Sequence, residues 1–198
     1  MLQFLLWSLV YPANLYVFSA FNKNNITLKA LSTAVSCSLL CYVLQFHFTF
    51  ELNGKLLFLM TAVAAPFLCS FDKQEVTEES WRDYFVAPAI EEVYYRCLLP
   101  QFGAGLWLNS LSFSLAHGHS LLFDWSLADE VAIRCLISFS FGLVLNLIGV
   151  RSGVDTRNFW FWLSATMVHG LANYVGVPLS NNLSISLTLL SILILFFI

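Results

Sequence analysis

The sequence predicts an all-α fold, a polytopic transmembrane bundle of about eight helices with a polar site inside the bilayer. Composition is the first observation behind this: of 198 residues, 59% are hydrophobic and only 11% charged, against roughly 25% charged in an average soluble domain. The second is a succession of apolar stretches, most of them near the roughly 17 to 25 residues a spanning helix needs, divided by short polar punctuation. The third is a small set of ionisable side chains inside those stretches, where burial is expensive and usually marks function.

Nineteen Phe, six Trp and seven Tyr suit a lipid-facing surface and the bilayer interface. The net charge of −3, without a block of like charges, offers no basic face for nucleic acid. The five cysteines form no CxxC pair and read as small buried hydrophobes.

The first predicted helix runs from about Leu2 to Phe21, crosses Pro12 and ends at the polar "NKNN". The second covers about Leu28 to Phe50 and the third about Leu56 to Phe71. The stretch Asp72 to Tyr84 is the most polar in the chain. It reads as an aqueous or interfacial loop in which Thr77 and the acids after it begin a helix, with Trp81 and Tyr84 at the headgroups. That fourth helix carries Glu91, Glu92 and Arg96 and stops near Pro100. A fifth spans about Gly105 to Phe123, a sixth about Val131 to Val150, a seventh about Phe159 to Val177, and the last Leu183 to Ile198. The tight loops and the absence of repeats predict one domain over residues 1–198.

Polar groups fall in three of these helices: Glu91, Glu92 and Arg96 in the fourth, His117 and His119 in "FSLAHGHS", His169 and Asn173 in "HGLAN". Residues four apart share a helix face, so Glu92 with Arg96, Phe113 with His117, and His169 with Asn173 can each present a polar stripe to a common interior. Adjacent residues point about 100° apart, so the two glutamates have different work. Glu92 precedes Arg96 in the orientation that favours an ion pair, which leaves Glu91 as the freer carboxylate and a candidate general base. Pro88 removes a backbone hydrogen bond beside it, and the resulting kink makes room for water.

Glu91 and His117 around one water would make a nucleophile, and His169 with Asn173 would supply donors to an oxyanion. That is the chemistry of amide hydrolysis within a membrane. Each residue also has a plainer reading. A lone intramembrane His or Asn serves as interhelical glue, His119 points away from His117 and reads as supporting, and Arg134 snorkels or pairs with Asp129 or Glu130. One Glu and two His would suit zinc, but there is no HExxH and no i, i+4 histidine pair, so neither a metal nor another cofactor is expected. A non-catalytic scaffold and a proton-coupled transporter are the competing functions.

At these residues the chain resembles a known family. "EEVYYR" fits a Glu-Glu-x-x-x-Arg motif, "FSLAH" a Phe-x-x-x-His motif and "HGLAN" a His-x-x-x-Asn motif, in that order, over about Tyr84 to Pro178. Together with the flanks "APAIEE", "CLLPQ", "AHGHS" and "HGLANYVGVP", they resemble the CPBP (ABI) intramembrane metal-independent proteases, and more closely the type II CaaX prenyl endopeptidases or Ras-converting enzymes. The resemblance implies a multi-pass endoplasmic-reticulum enzyme of eight helices that removes the last three residues of prenylated CaaX proteins such as small GTPases. It implies Glu91 and His117 as activators of water, His169 and Asn173 as the oxyanion site, and Glu92 and Arg96 as supports. Family members acting on unprenylated membrane peptides are the alternative it leaves open.

Overall fold

The computed structural model describes residues 2–21, 26–69, 82–103, 105–118, 125–176 and 181–197. Among them are eight helices: α1 (Leu2–Phe21), α2 (Ile26–Val43), α3 (Gly54–Cys69), α4 (residues 82–102), α5 (Leu106–Ala116), α6 (Ala128–Ser152), α7 (Phe159–Gly176) and α8 (Asn181–Phe197). The chain is all-α, as its composition and succession of apolar stretches predict. Most of the polar stretch 72–84, with Thr77 and Trp81, and also His119, lie outside the described residues.

The helices pack around Phe4, Leu40, Leu56, Val63, Leu98, Leu145, Ile148 and Ala165, all buried. Outside this core the surface stays apolar: Leu6, Leu39, Phe58, Leu115, Leu136, Met167 and Leu193 are each more than half exposed. Exposed apolar surface spread over so many helices has no use in water and fits a lipid environment. Helix α6 is long and apolar enough to cross a membrane, and Leu2–Ala13, Ala34–Val43 and Gly54–Leu68 are shorter apolar stretches.

Two predicted helices end earlier than expected. The second was expected to reach Phe50, but α2 stops at Val43 because Gln45 turns into the left-handed region (φ 49°). The Gln45 N–H then bonds to the Tyr42 carbonyl and the Phe46 N–H to the Cys41 carbonyl, the paired closure that satisfies a helix end. The chain beyond runs extended. Phe46, Phe48 and Phe50 alternate with His47, Thr49 and Glu51, a period of two that belongs to a strand and not to a helix. Thr49 bridges Asn158 in parallel, through Thr49 N–H to Arg157 O (2.9 Å) and Phe159 N–H to Thr49 O (2.8 Å). The fifth helix, expected to reach Phe123, closes at Ala116, so His117 sits at its C-terminal end.

The charged segment 151–160 is the partner of this extended stretch. Gly153 ends α6 with φ 68°, a conformation open to glycine at no steric cost. Asn158 then starts α7 by accepting the Phe161 N–H at 3.0 Å, while its amide donates to Glu51 O at 2.7 Å. Asn53 caps α3 in the same way through the Leu56 N–H and reaches Ser152 O. Two asparagine caps thus fix where α3 and α7 begin.

Candidate functional site

Helix α4 is irregular where the acids lie. Only Ala87–Glu92 is regular α-helix; it is flanked by the wider π turns Arg82–Val86 and Val93–Leu98, and a 3₁₀ turn, Leu99–Phe102, closes the element. Pro88 has no N–H to give to the Tyr84 carbonyl one turn earlier. That carbonyl faces Gly170 of α7 so closely that a Cβ there would lie 2.0 Å from it. The π turns on either side break the regular helix, and on this side, where room for water was expected, α7 packs directly against the backbone. The neighbouring Ala89 carbonyl accepts the Trp162 indole N–H at 3.0 Å. The close approach brings His169, the residue before Gly170, against the two glutamates.

Glu92 is fully buried and spends both oxygens: Oε2 accepts Arg96 Nε at 3.0 Å and Oε1 accepts His169 Nδ1 at 2.7 Å. The i, i+4 pair read from the sequence is present, and the histidine bond is an addition that spacing along one helix cannot reveal. Among the described residues neither Nη of Arg96 has a hydrogen-bond partner. The guanidinium carbon lies 4.5 Å above the Phe113 ring instead, a face that attracts cations.

Glu91 is placed differently. Its Oε1 accepts the Tyr11 hydroxyl of α1 at 2.8 Å, while its Oε2 stands 3.8 Å from His169 Nε2. The second distance is too long for a hydrogen bond. Because Nδ1 of His169 already donates to Glu92, Nε2 is the nitrogen left to face Glu91 and whatever lies beside it.

His117 turns Nδ1 to the Phe113 carbonyl at 2.9 Å. A carbonyl only accepts, so Nδ1 carries the proton and Nε2 of the neutral ring is an acceptor. The Phe113 ring, buried, stands edge-on to both His117 (4.8 Å) and His169 (5.7 Å). It is the spacer between the two imidazoles. Asn173, half-buried, follows His169 by one turn of α7.

Sequence reasoning singled out Glu91, Glu92, Arg96, Phe113 and His169, and the structure brings them into one cluster, with His117 joined through Phe113. It missed Tyr11, whose only signal was a hydroxyl within an apolar helix beside Pro12. It also missed Gly170 and Trp162, which set the α4–α7 crossing.

A second polar network lies between α5 and α6. Asn146 Nδ2 donates to Ser110 Oγ (2.8 Å) and Leu106 O (3.2 Å), and Asn109 donates to the Tyr95 carbonyl. A cavity of about 140 Å³ is lined by Arg96, Asn109, Asn146, Thr156 and Phe161 among others, between the two networks.

Paired carboxylates and an imidazole enclosed by an apolar helical bundle are residue types that amide hydrolysis within a membrane would use. The type II CAAX prenyl endopeptidase Rce1-like family model matches residues 78–175, about half of the chain, from the approach to α4 through most of α7. The chain belongs to this family, and it is accordingly a membrane protease. No curated protein and no solved structure matches it.

Proposed function

We propose that the protein is a multi-pass CaaX prenyl endopeptidase of the endoplasmic reticulum membrane, releasing the C-terminal tripeptide of prenylated Cys-a-a-X proteins such as small GTPases. On this reading residues 1–198 form one protease domain with its motif core at about 84–178. The observation that carries the proposal is the unequal state of two adjacent glutamates: Glu92 is bound on both oxygens, whereas Glu91 keeps Oε2 turned toward His169 Nε2 across 3.8 Å.

In the proposed reaction a water lies between Glu91 and Nε2 of His117. As its oxygen attacks the scissile carbonyl carbon, its proton passes to that acid–base pair. The carbonyl π electrons move to oxygen, and the oxyanion meets Nε2 of His169 and the Asn173 amide. Collapse breaks the C–N bond, and the captured proton goes to the leaving amine. Donation from Nε2 requires His169 as an imidazolium, since Nδ1 already donates to Glu92. Burial of the prenyl chain, at about 0.8 kcal/mol per CH₂, supplies much of the substrate binding. The scheme uses no metal.

The test is tripeptide release from a farnesylated CaaX peptide by membranes of a host without its own CaaX proteases, comparing wild type with Glu91→Gln, each with and without a zinc chelator. Chelator-resistant release that Glu91→Gln abolishes is expected. Chelator-sensitive release would replace the scheme with a zinc site, and equal cleavage of the unprenylated peptide would move the substrate class to ordinary membrane peptides. No release by folded wild-type protein would refute the assignment.

A further inference from the structure

We infer that Tyr11 is a positioning residue of the reaction: its phenol, delivered by α1, holds Oε1 of Glu91 and leaves Oε2 as the oxygen that meets the attacking water. The inference rests on the proposed role of Glu91. Helix α1 lies outside the family-matched segment 78–175, so the motifs do not contain this contact.

Tyr11 is almost fully buried, and its ring packs against Tyr94 and Tyr95 of α4 with centroids 5.4 Å away in each case. One turn earlier, the Tyr94 hydroxyl donates to the Trp7 carbonyl, and the Trp7 ring stacks on Phe102 at 6.3 Å. Docking of α1 on α4 is therefore secured by contacts that do not involve Glu91. Tyr11 and Tyr94 use their hydroxyls differently. Tyr94 gives its proton to a backbone carbonyl, as a packing tyrosine commonly does, whereas Tyr11 gives its proton to a carboxylate oxygen at 2.8 Å.

A glutamate has three side-chain torsions, and the entropy of fixing them opposes any single reactive geometry. With Tyr11 on Oε1, the remaining oxygen is held on the side of His169 Nε2. A charge-assisted hydrogen bond both strengthens and directs such placement, and small errors of placement are costly in rate.

The test is Tyr11→Phe, which keeps the ring against Tyr94 and Tyr95 and removes only the hydroxyl. Loss of one hydrogen bond to a charged group predicts a fall in kcat of about tenfold or more, with KM within about twofold and only the small drop in melting temperature in detergent that one lost hydrogen bond causes. Infrared difference spectra between wild type and Tyr11→Phe should show a shifted carboxylate band, absent when both proteins also carry Glu91→Gln. Wild-type kcat in Tyr11→Phe, or no such band, would overturn the inference. A parallel loss of kcat and melting temperature without the band would assign Tyr11 to packing and also overturn it. If wild-type protein cleaves no CaaX peptide, the proposed function fails, while the band still decides whether Tyr11 governs the Glu91 carboxylate.

Discussion

The bundle contains two buried polar networks, and they differ in what they leave unspent. Between α5 and α6, Asn109, Ser110 and Asn146 exchange hydrogen bonds among neutral groups, and what remains, Asn109 Oδ1, is an amide oxygen with no charge to change. Between α4 and α7, Glu92 is saturated by Arg96 and His169, but Glu91 Oε2 and His169 Nε2 face each other across 3.8 Å. That gap suits a bridging water or a reacting group. Polarity inside an apolar bundle is therefore not by itself a mark of chemistry. Interhelical glue leaves only neutral atoms over, whereas the site proposed here keeps ionisable atoms available.

Glu91→Gln should break the contrast most sharply. Removing a general base costs about 10²- to 10⁴-fold in rate, while a neutral amide can still accept the Tyr11 hydroxyl, so peptidase activity should vanish with circular dichroism and melting temperature retained. Next in size is Arg96→Met. Breaking one side of a buried ion pair costs about 3–5 kcal/mol, so this variant should melt early and lose activity through loss of folded protein. An unchanged melting temperature would show that His169 alone can hold Glu92.

Gly170→Ala comes third. Its methyl would lie 2.0 Å from the Tyr84 carbonyl, and because the obstacle is backbone, α4 and α7 must separate. Overpacking of this kind costs about 1–3 kcal/mol. Activity should fall further than stability alone accounts for, since separation withdraws His169 from both glutamates. Activity and stability falling strictly together would detach the α4–α7 crossing from the site.

How much of this was legible in the sequence follows from the range of each interaction. Eight helices could be counted because apolar runs and their punctuation are local features. Glu92 with Arg96 was legible because both lie on one helix at a fixed spacing. The Glu92–His169 bond joins residues 77 apart, and Tyr11–Glu91 joins residues 80 apart, so neither follows from periodicity. The end of α2 was hidden for another reason. Gln45 takes a left-handed conformation that usually announces itself by glycine or asparagine, and the alternating phenylalanines after it were absorbed into an apolar run.

In the neutral network, Asn146→Leu should cost about 1–3 kcal/mol by removing the two hydrogen bonds its amide donates, to Ser110 Oγ and the Leu106 carbonyl, which keep only the bond between themselves, while activity per folded molecule stays within about twofold of wild type. A large loss of kcat at full folding would erase the distinction between the two networks.

The smallest expected effect comes from a pair with the same design as Glu92 and Arg96. Glu130 and Arg134 are also an acid followed four residues later by a base, and they also form an ion pair, but their side chains are 46% and 59% exposed where Glu92 and Arg96 are both at 0%. Solvent screens the attraction and already hydrates both charges, so an exposed pair is worth about 0–1 kcal/mol. Arg134→Ala should therefore leave melting temperature and peptidase activity close to wild type, although its spacing, order and chemistry match the pair whose disruption should cost the most stability. If Arg134→Ala proved as damaging as Arg96→Met, burial would not be what separates the two pairs, and the case for reading Glu92 and Arg96 as the fixed frame of the site would lose its physical basis.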